Sequence, residues 1–195
     1  MKPKADGKSD QASVRDRLLD TANDLFYQEG VRAVGVDLVV ERSGVAKTSL
    51  YRHFATKDDL VAAVLERDDA AFWVRWDAIA REHAGDPSAE LHAQLRWIAQ
   101  YVAGPKYRGC PFLNVATEFP SSDHPARVVA LRNKNDLRRR LSLLAKRMKV
   151  RKHEALADQL LLLIDGAYVD GQLFGKTGPA RSFLAAARAL VTAAG

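Results

Sequence analysis

Residues 44–54 of the chain read GVAKTSLYRHF. Within about three helical turns this stretch sets a glycine and then Lys47, Thr48, Ser49, Tyr51, Arg52 and His53 around Leu50 and Phe54, which are spaced i, i+4. Leu50 and Phe54 give such a helix one buried edge. The other side chains point away from that edge and carry the ammonium, guanidinium, imidazole and hydroxyl groups that hold phosphate oxygens and base edges. A polar helix face is ordinary in itself, so the meaning of this segment depends on its neighbours.

Upstream, Val14, Leu18, Ala22, Leu25 and Phe26 follow helical spacing from an N-cap at Ser13 to a stop at Gly30. A second, short helix is predicted over Val36–Ser43, with Val36, Val39 and Val40 on one face and Gly44 closing it. The third helix spans Ala46–Phe54. Two short helices joined through a glycine and backed by a longer one form the helix-turn-helix pattern. A fourth helix starts at Lys57, capped by Thr56 with Asp58 and Asp59 in its first turn, and runs to about His83.

Strand signals are nearly absent further along. Helices are predicted over 88–103, from Pro111, over 126–149, 152–174 and 179–193, separated by the Gly/Pro-rich breaks AGDPS, GPKYRGCP, PSSDHP and GKTGP. The sequence thus predicts an all-α protein of about nine helices: a flexible arm at 1–12, a helix-turn-helix domain at 13–56 and a second helical domain at 57–195.

Composition narrows the function. No apolar run approaches the ~18 residues that span a bilayer, LLLLI at 160–164 being the longest. The basic N-terminus has no apolar segment behind it, so a cytoplasmic protein is expected. Cys110 is the single cysteine, and the five histidines lack ligand spacing, so neither a metal nor a cofactor is predicted. No nucleophile–base pair or carboxylate cluster suggests an enzyme. The net charge of +6 does not mark a DNA site: residues 1–60 hold ten Lys/Arg and ten Asp/Glu, whereas 127–152 hold eleven Lys/Arg and one acid. That basic run reads by default as a solvated face. Lys2, Lys4 and Lys8 read as part of a solvated tail, their charge diluted by Asp6 and Asp10.

Residues 13–60, SVRDRLLDTANDLFYQEGVRAVGVDLVVERSGVAKTSLYRHFATKDDL, resemble the DNA-binding domain of TetR-family transcriptional regulators along their whole length. The shared marks are A..LF...G at the end of the first helix, an apolar second helix closed by GV, LYRHF in the third, and Lys57 just after it. The resemblance implies a homodimer whose third helices enter the major groove of a double-stranded operator. A small molecule in the C-terminal domain then controls DNA release, and repression is the expected role. Carried over position by position, Lys47, Thr48 and Ser49 face the groove, Tyr51, Arg52, His53 and Lys57 hold phosphates or bases, and Gly35 and Asp37 meet the DNA backbone. Gly35 and Ala46 stand where Ser or Thr is frequent, so two hydroxyls that could cap a helix and bond a phosphate are missing.

For the second domain, Trp73, Trp76, Trp97, Tyr101, Cys110, Phe112, Asn114 and Tyr168 are the candidate effector-binding residues, chosen because helical pockets are lined by aromatic and apolar side chains with a few polar groups. Cys110, at the start of the helix from Pro111, is placed where a helix dipole favours thiolate, but a buried, inert cysteine that packs as a small hydrophobe is the favoured reading. Leu160, Leu161, Ile164, Tyr168 and Gly171, with Leu184, Ala187 and Leu190, are the candidate dimerisation residues, because the last two helices carry apolar and small residues on more than one face.

Overall fold

The computed structural model describes residues 13–194. They form helices α1 Val14–Glu29, α2 Val36–Ser43, α3 Lys47–His53, α4 Lys57–Glu82, α5 Pro87–Val102, α6 Pro111–Glu118, α7 Pro125–Arg147, α8 His153–Phe174 and α9 Phe183–Ala194. Two 3-10 turns, Gly175–Thr177 and Pro179–Ser182, lie between α8 and α9. Two compact units are present, one ending at Val64 and one beginning at Leu65. The division therefore falls inside α4, two turns beyond the boundary expected at residue 56.

Local chemistry sets most helix ends. The Ser13 hydroxyl accepts from the Asp16 amide at 3.1 Å and starts α1. Thr56 and Asp59 bond reciprocally, each side-chain oxygen accepting from the other's backbone N–H at 3.0–3.1 Å, which is a capping box with aspartate as its acid. Gly44 closes α2 in the left-handed conformation, φ 64°, where a Cβ would be strained. The ends of three helices differ from the sequence pattern. α7 stops at Arg147 because Lys149 turns left-handed, φ 64°, and the Val150 amide donates back to the Ala145 carbonyl. α9 begins at Phe183, not 179, because Pro179 opens a 3-10 turn in place of the α-helix. α3 is one residue shorter at each end, Ala46 and Phe54 being its caps.

The smaller unit is built on Leu18, Leu19, Ala22, Val34, Val39, Leu50 and Phe54, all buried. In the larger unit α7 and α8 pack most extensively, with α5, α6 and α9 around them. The basic run lies on α7, and ion pairs take up most of it. Lys134 meets Asp165 at 2.5 Å, Arg138 pairs with Asp158, Arg139 with Asp136 on its own helix, Arg140 with Asp77, and Arg147 reaches the buried Glu90 at 2.7 Å. Arg127 donates to the Ala116 carbonyl. These cations link α7 to α4, α5, α6 and α8 while most cations of the run stay exposed, so the run is a solvated face, as a charge run suggests, that also makes interhelix pairs.

Candidate nucleic-acid interface and effector unit

The reading helix is anchored as its spacing predicts. Leu50 is fully buried and Phe54 nearly so, whereas Lys47, Thr48, Tyr51, Arg52 and His53 are exposed and Ser49 is half-buried. Tyr51 is 47% exposed, so it does not serve the core. Neither Gly35 nor Ala46 supplies a side-chain cap. The guanidinium of Arg15 lies over the Phe54 ring at 5.5 Å and so supports the end of α3, while the arm residues 2–8 lie outside the described residues.

Three of the expected DNA contacts, Lys57, Lys47 and Asp37, are already engaged inside the unit. The Lys57 ammonium donates to the Val31 carbonyl at 2.6 Å, tying the start of α4 to the loop between α1 and α2. The Lys47 ammonium meets the Asp37 carboxylate at 2.6 Å, and this hydrogen-bonded partner raises the lysine pKa. Neither pairing carries a local sequence signal: they join residues 26 and 10 apart that only the packing of the short helices brings together.

Of the candidate effector residues, Trp73, Trp76 and Trp97 meet in one aromatic cluster and Tyr101 and Tyr168 in another, both lined from α5. In the first, Phe72, Trp73, Trp76 and Trp97 have ring centroids 4.8–6.1 Å apart. Beneath them Asp69, nearly buried, accepts from Trp73 Nε1 and from Asn133 Nδ2, each at 2.8 Å, with Arg132 at 3.7 Å. Arg140 covers the outer side of Trp73, 4.3 Å from the ring centroid. The fully buried Gln94 donates to the Trp76 carbonyl at 2.9 Å, while its Oε1 has no hydrogen-bond partner. Asp69, Asn133 and Gln94 were not among the sequence candidates. Only the i, i+4 spacing of Asp69 and Trp73 could have signalled any of them.

In the second cluster Tyr101 stands edge-on to Tyr107 and Tyr168. The Tyr107 hydroxyl donates to the Tyr168 carbonyl at 2.8 Å, and the Lys134 ammonium lies 5.2 Å from the Tyr168 ring centroid. Asn114 donates to the Arg108 carbonyl and so latches the loop before α6. Glycine suits position 109 because its φ of 96° lies in the left-handed region that other residues rarely adopt. Trp76, Phe112, Cys110 and Tyr168 are core residues, Tyr101 is exposed, and Trp73, Trp97 and Asn114 are half-buried. Burial pushes the Cys110 thiol up and outweighs the nearby Lys134 charge and the amides of Leu113 and Phe112. The thiolate expected from the helix dipole alone is therefore disfavoured.

Several candidate dimerisation residues require correction. Leu160, Ile164, Tyr168, Gly171 and Ala187 are buried within this chain, because α8 is covered on that side by α5, α7 and α9. Leu161 and Leu190 are half-buried and Leu184 is exposed. The outward stripe of α8 is instead Leu162, Gly166, Val169 and Leu173, spaced i, i+4, i+7, i+11.

A short helix anchored by two apolar residues, preceded by a glycine turn and presenting a cationic and hydroxylic face, defines a helix-turn-helix DNA-binding protein with a second, helical unit. Comparison with known proteins extends this. Residues 18–64 match the family described as bacterial regulatory proteins, tetR family. The chain is 30% identical to SCO4454, a TetR-family transcriptional regulator from Streptomyces coelicolor, over 93% of its own length and 95% of that protein's, with a TM-score of 0.88. It is 32% identical to sav143 from Streptomyces avermitilis over 94% and 98% of the two chains, with a TM-score of 0.79. The HTH-type transcriptional activator FasR of Mycolicibacterium smegmatis is 43% identical over 53 residues, which is 27% of this chain but only 24% of FasR. The chain belongs to the TetR family of DNA-binding transcriptional regulators. Among the described residues no helix is long and apolar enough to cross a membrane.

Proposed function

We propose that the chain is a repressor that binds a pseudopalindromic operator as a homodimer and is released by a small molecule held in the larger unit. The observation that carries this reading is the α3 face, where Lys47, Thr48, Tyr51, Arg52 and His53 are exposed together while Leu50 and Phe54 hold the helix to the core. The α8 stripe of Leu162, Val169 and Leu173, with Leu184 on α9, leaves apolar surface that a second copy would cover, and Gly166 within the stripe allows close approach of a helix. Trp97 and Tyr101, one turn apart on α5, belong to the two aromatic clusters, which supports an effector bound against α5. It would favour a dimer whose two α3 helices no longer match half-sites about 34–36 Å apart, or a multiple of that, shifting the population off DNA. FasR is an activator and matches over little more than the reader, so repression rests on the family's usual role and not on the reader itself.

Selection of bound fragments from genomic DNA tests the reading, because an operator also names the regulated genes. A single palindromic sequence should emerge. On it Tyr51→Ala should weaken binding to every sequence, and Arg52→Ala should lose about 1–3 kcal/mol of discrimination at one base pair. Enrichment without a common sequence, or variants that bind like the parent, would overturn it.

A further inference from the structure

The cationic face of α3 is guarded by one carboxylate. Asp37, in the first turn of α2, lies with its Oδ1 2.6 Å from Lys47 Nζ, at the first residue of α3. Both side chains are largely exposed, Asp37 at 81% and Lys47 at 53%. Ion pairs this wet contribute little to stability, since water screens the charges and both side chains lose freedom. The fold of the smaller unit rests instead on Leu18, Ala22, Val39, Leu50 and Phe54, all buried. The pair therefore has little structural work to do. What it does alter is the surface that DNA would meet: the ammonium nearest the start of the reading helix is already neutralised, in a segment where residues 1–60 sum to zero charge.

We propose that Asp37 is a built-in competitor for DNA phosphate, set against Lys47 so that the reader holds unrelated DNA weakly. This rests on the reading of α3 as the DNA-contacting helix. A carboxylate and a phosphate oxygen offer the same acceptor to an ammonium, so Lys47 binds one or the other. Docking on DNA then requires Lys47 to exchange Asp37 for a phosphate, and the released carboxylate draws a cation from solution. That uptake cancels the counterion that Lys47 would otherwise displace from the duplex. Non-specific binding depends almost wholly on such displacement, whereas an operator adds base contacts that the exchange does not touch. Asp37 thus lowers the electrostatic affinity for every duplex by the same factor, so that at working salt an operator is held by its added base contacts while unrelated DNA is not.

Asp37→Asn keeps size and hydrogen bonding while removing the charge. The variant is compared with the parent on a random-sequence duplex, by fluorescence anisotropy, from about 50 to 200 mM salt. Thermal melts accompany the titrations to show that the fold is retained. Binding is expected to tighten about tenfold at the low-salt end, and the slope of log K against log salt to steepen by about 0.9, the value for one added phosphate contact. In the Asp37→Asn background, Lys47→Gln should abolish both changes. If Asp37→Asn binds no tighter than a parent that does bind, the inference fails while the reading of α3 stands. A gain that persists with Gln at position 47 also overturns it, since Asp37 would then act as a general repulsive charge and not through Lys47. If neither the parent nor any variant binds DNA, both readings fail together.

Discussion

Asp68, on α4, has its carboxyl pushed up to about 6 by burial, which the neighbouring Arg67 charge offsets only in part. The folded chain holds this proton more tightly than the unfolded chain, where an aspartate titrates near 3.8. Below that value both states are protonated and the group is neutral for stability; as pH rises through 6 the folded state must bury a charge and loses stability. Asp68→Asn should therefore raise stability by about 1–3 kcal/mol at pH 7 relative to the parent, and by almost nothing near pH 4. Urea unfolding at the two pH values checks the difference, and an equal gain at both would show that the buried charge is not the cause. Residue-scale chemistry was only partly legible in the sequence. The sequence pattern placed Lys57 and Lys47 on the DNA-facing surface, but the Val31 carbonyl and the Asp37 carboxylate that engage them come from other elements. For Cys110 the sequence left a dipole-favoured thiolate beside the favoured buried, inert cysteine, and burial agrees with the latter.

Single helices were largely readable, because their ends depend on nearest neighbours. Ser13, Gly30, Gly44 and Thr56 each acts within three or four residues of the end it sets, and each was visible as a cap or stop. Thr56→Ala removes the hydroxyl half of the capping box that opens α4, and should cost about 1 kcal/mol in urea unfolding, with little change in helix content by circular dichroism. An unchanged midpoint would mean that Asp59 alone suffices to start the helix. The C-terminal end of α7 and the start of α9 differ from the sequence pattern because no glycine marks a left-handed lysine, and because Pro179 suits a 3-10 turn as well as an α-helix. The charge run on α7 was visible as a run, but its interhelix pairs were not. Its partners Asp77, Glu90, Asp158 and Asp165 sit on α4, α5 and α8, tens of residues away.

For the whole molecule, the proposed dimer requires an apolar surface that a second copy would cover. The α8 stripe makes a prediction that separates interface from core. Leu162→Glu with Leu173→Glu, at positions 75% and 70% exposed, should leave the helix content intact and yield a monomer by sedimentation at micromolar concentration. Leu160→Ala, two residues from Leu162 but fully buried, should instead lower stability by about 2–5 kcal/mol. A dimer that survives both glutamates would remove the stripe as the interface. By itself the sequence determined the all-α class, the order of the helices, the helix-turn-helix and the family, because periodicity, caps and a dense local motif are written in residues close together along the chain. Only the tertiary structure decided which apolar face of α8 is core and which is surface, which cations are already paired, and which aromatic rings meet. A helix as apolar as α8 fits a core on several faces, and burial and ion pairing depend on residues far apart in sequence that packing alone brings within reach.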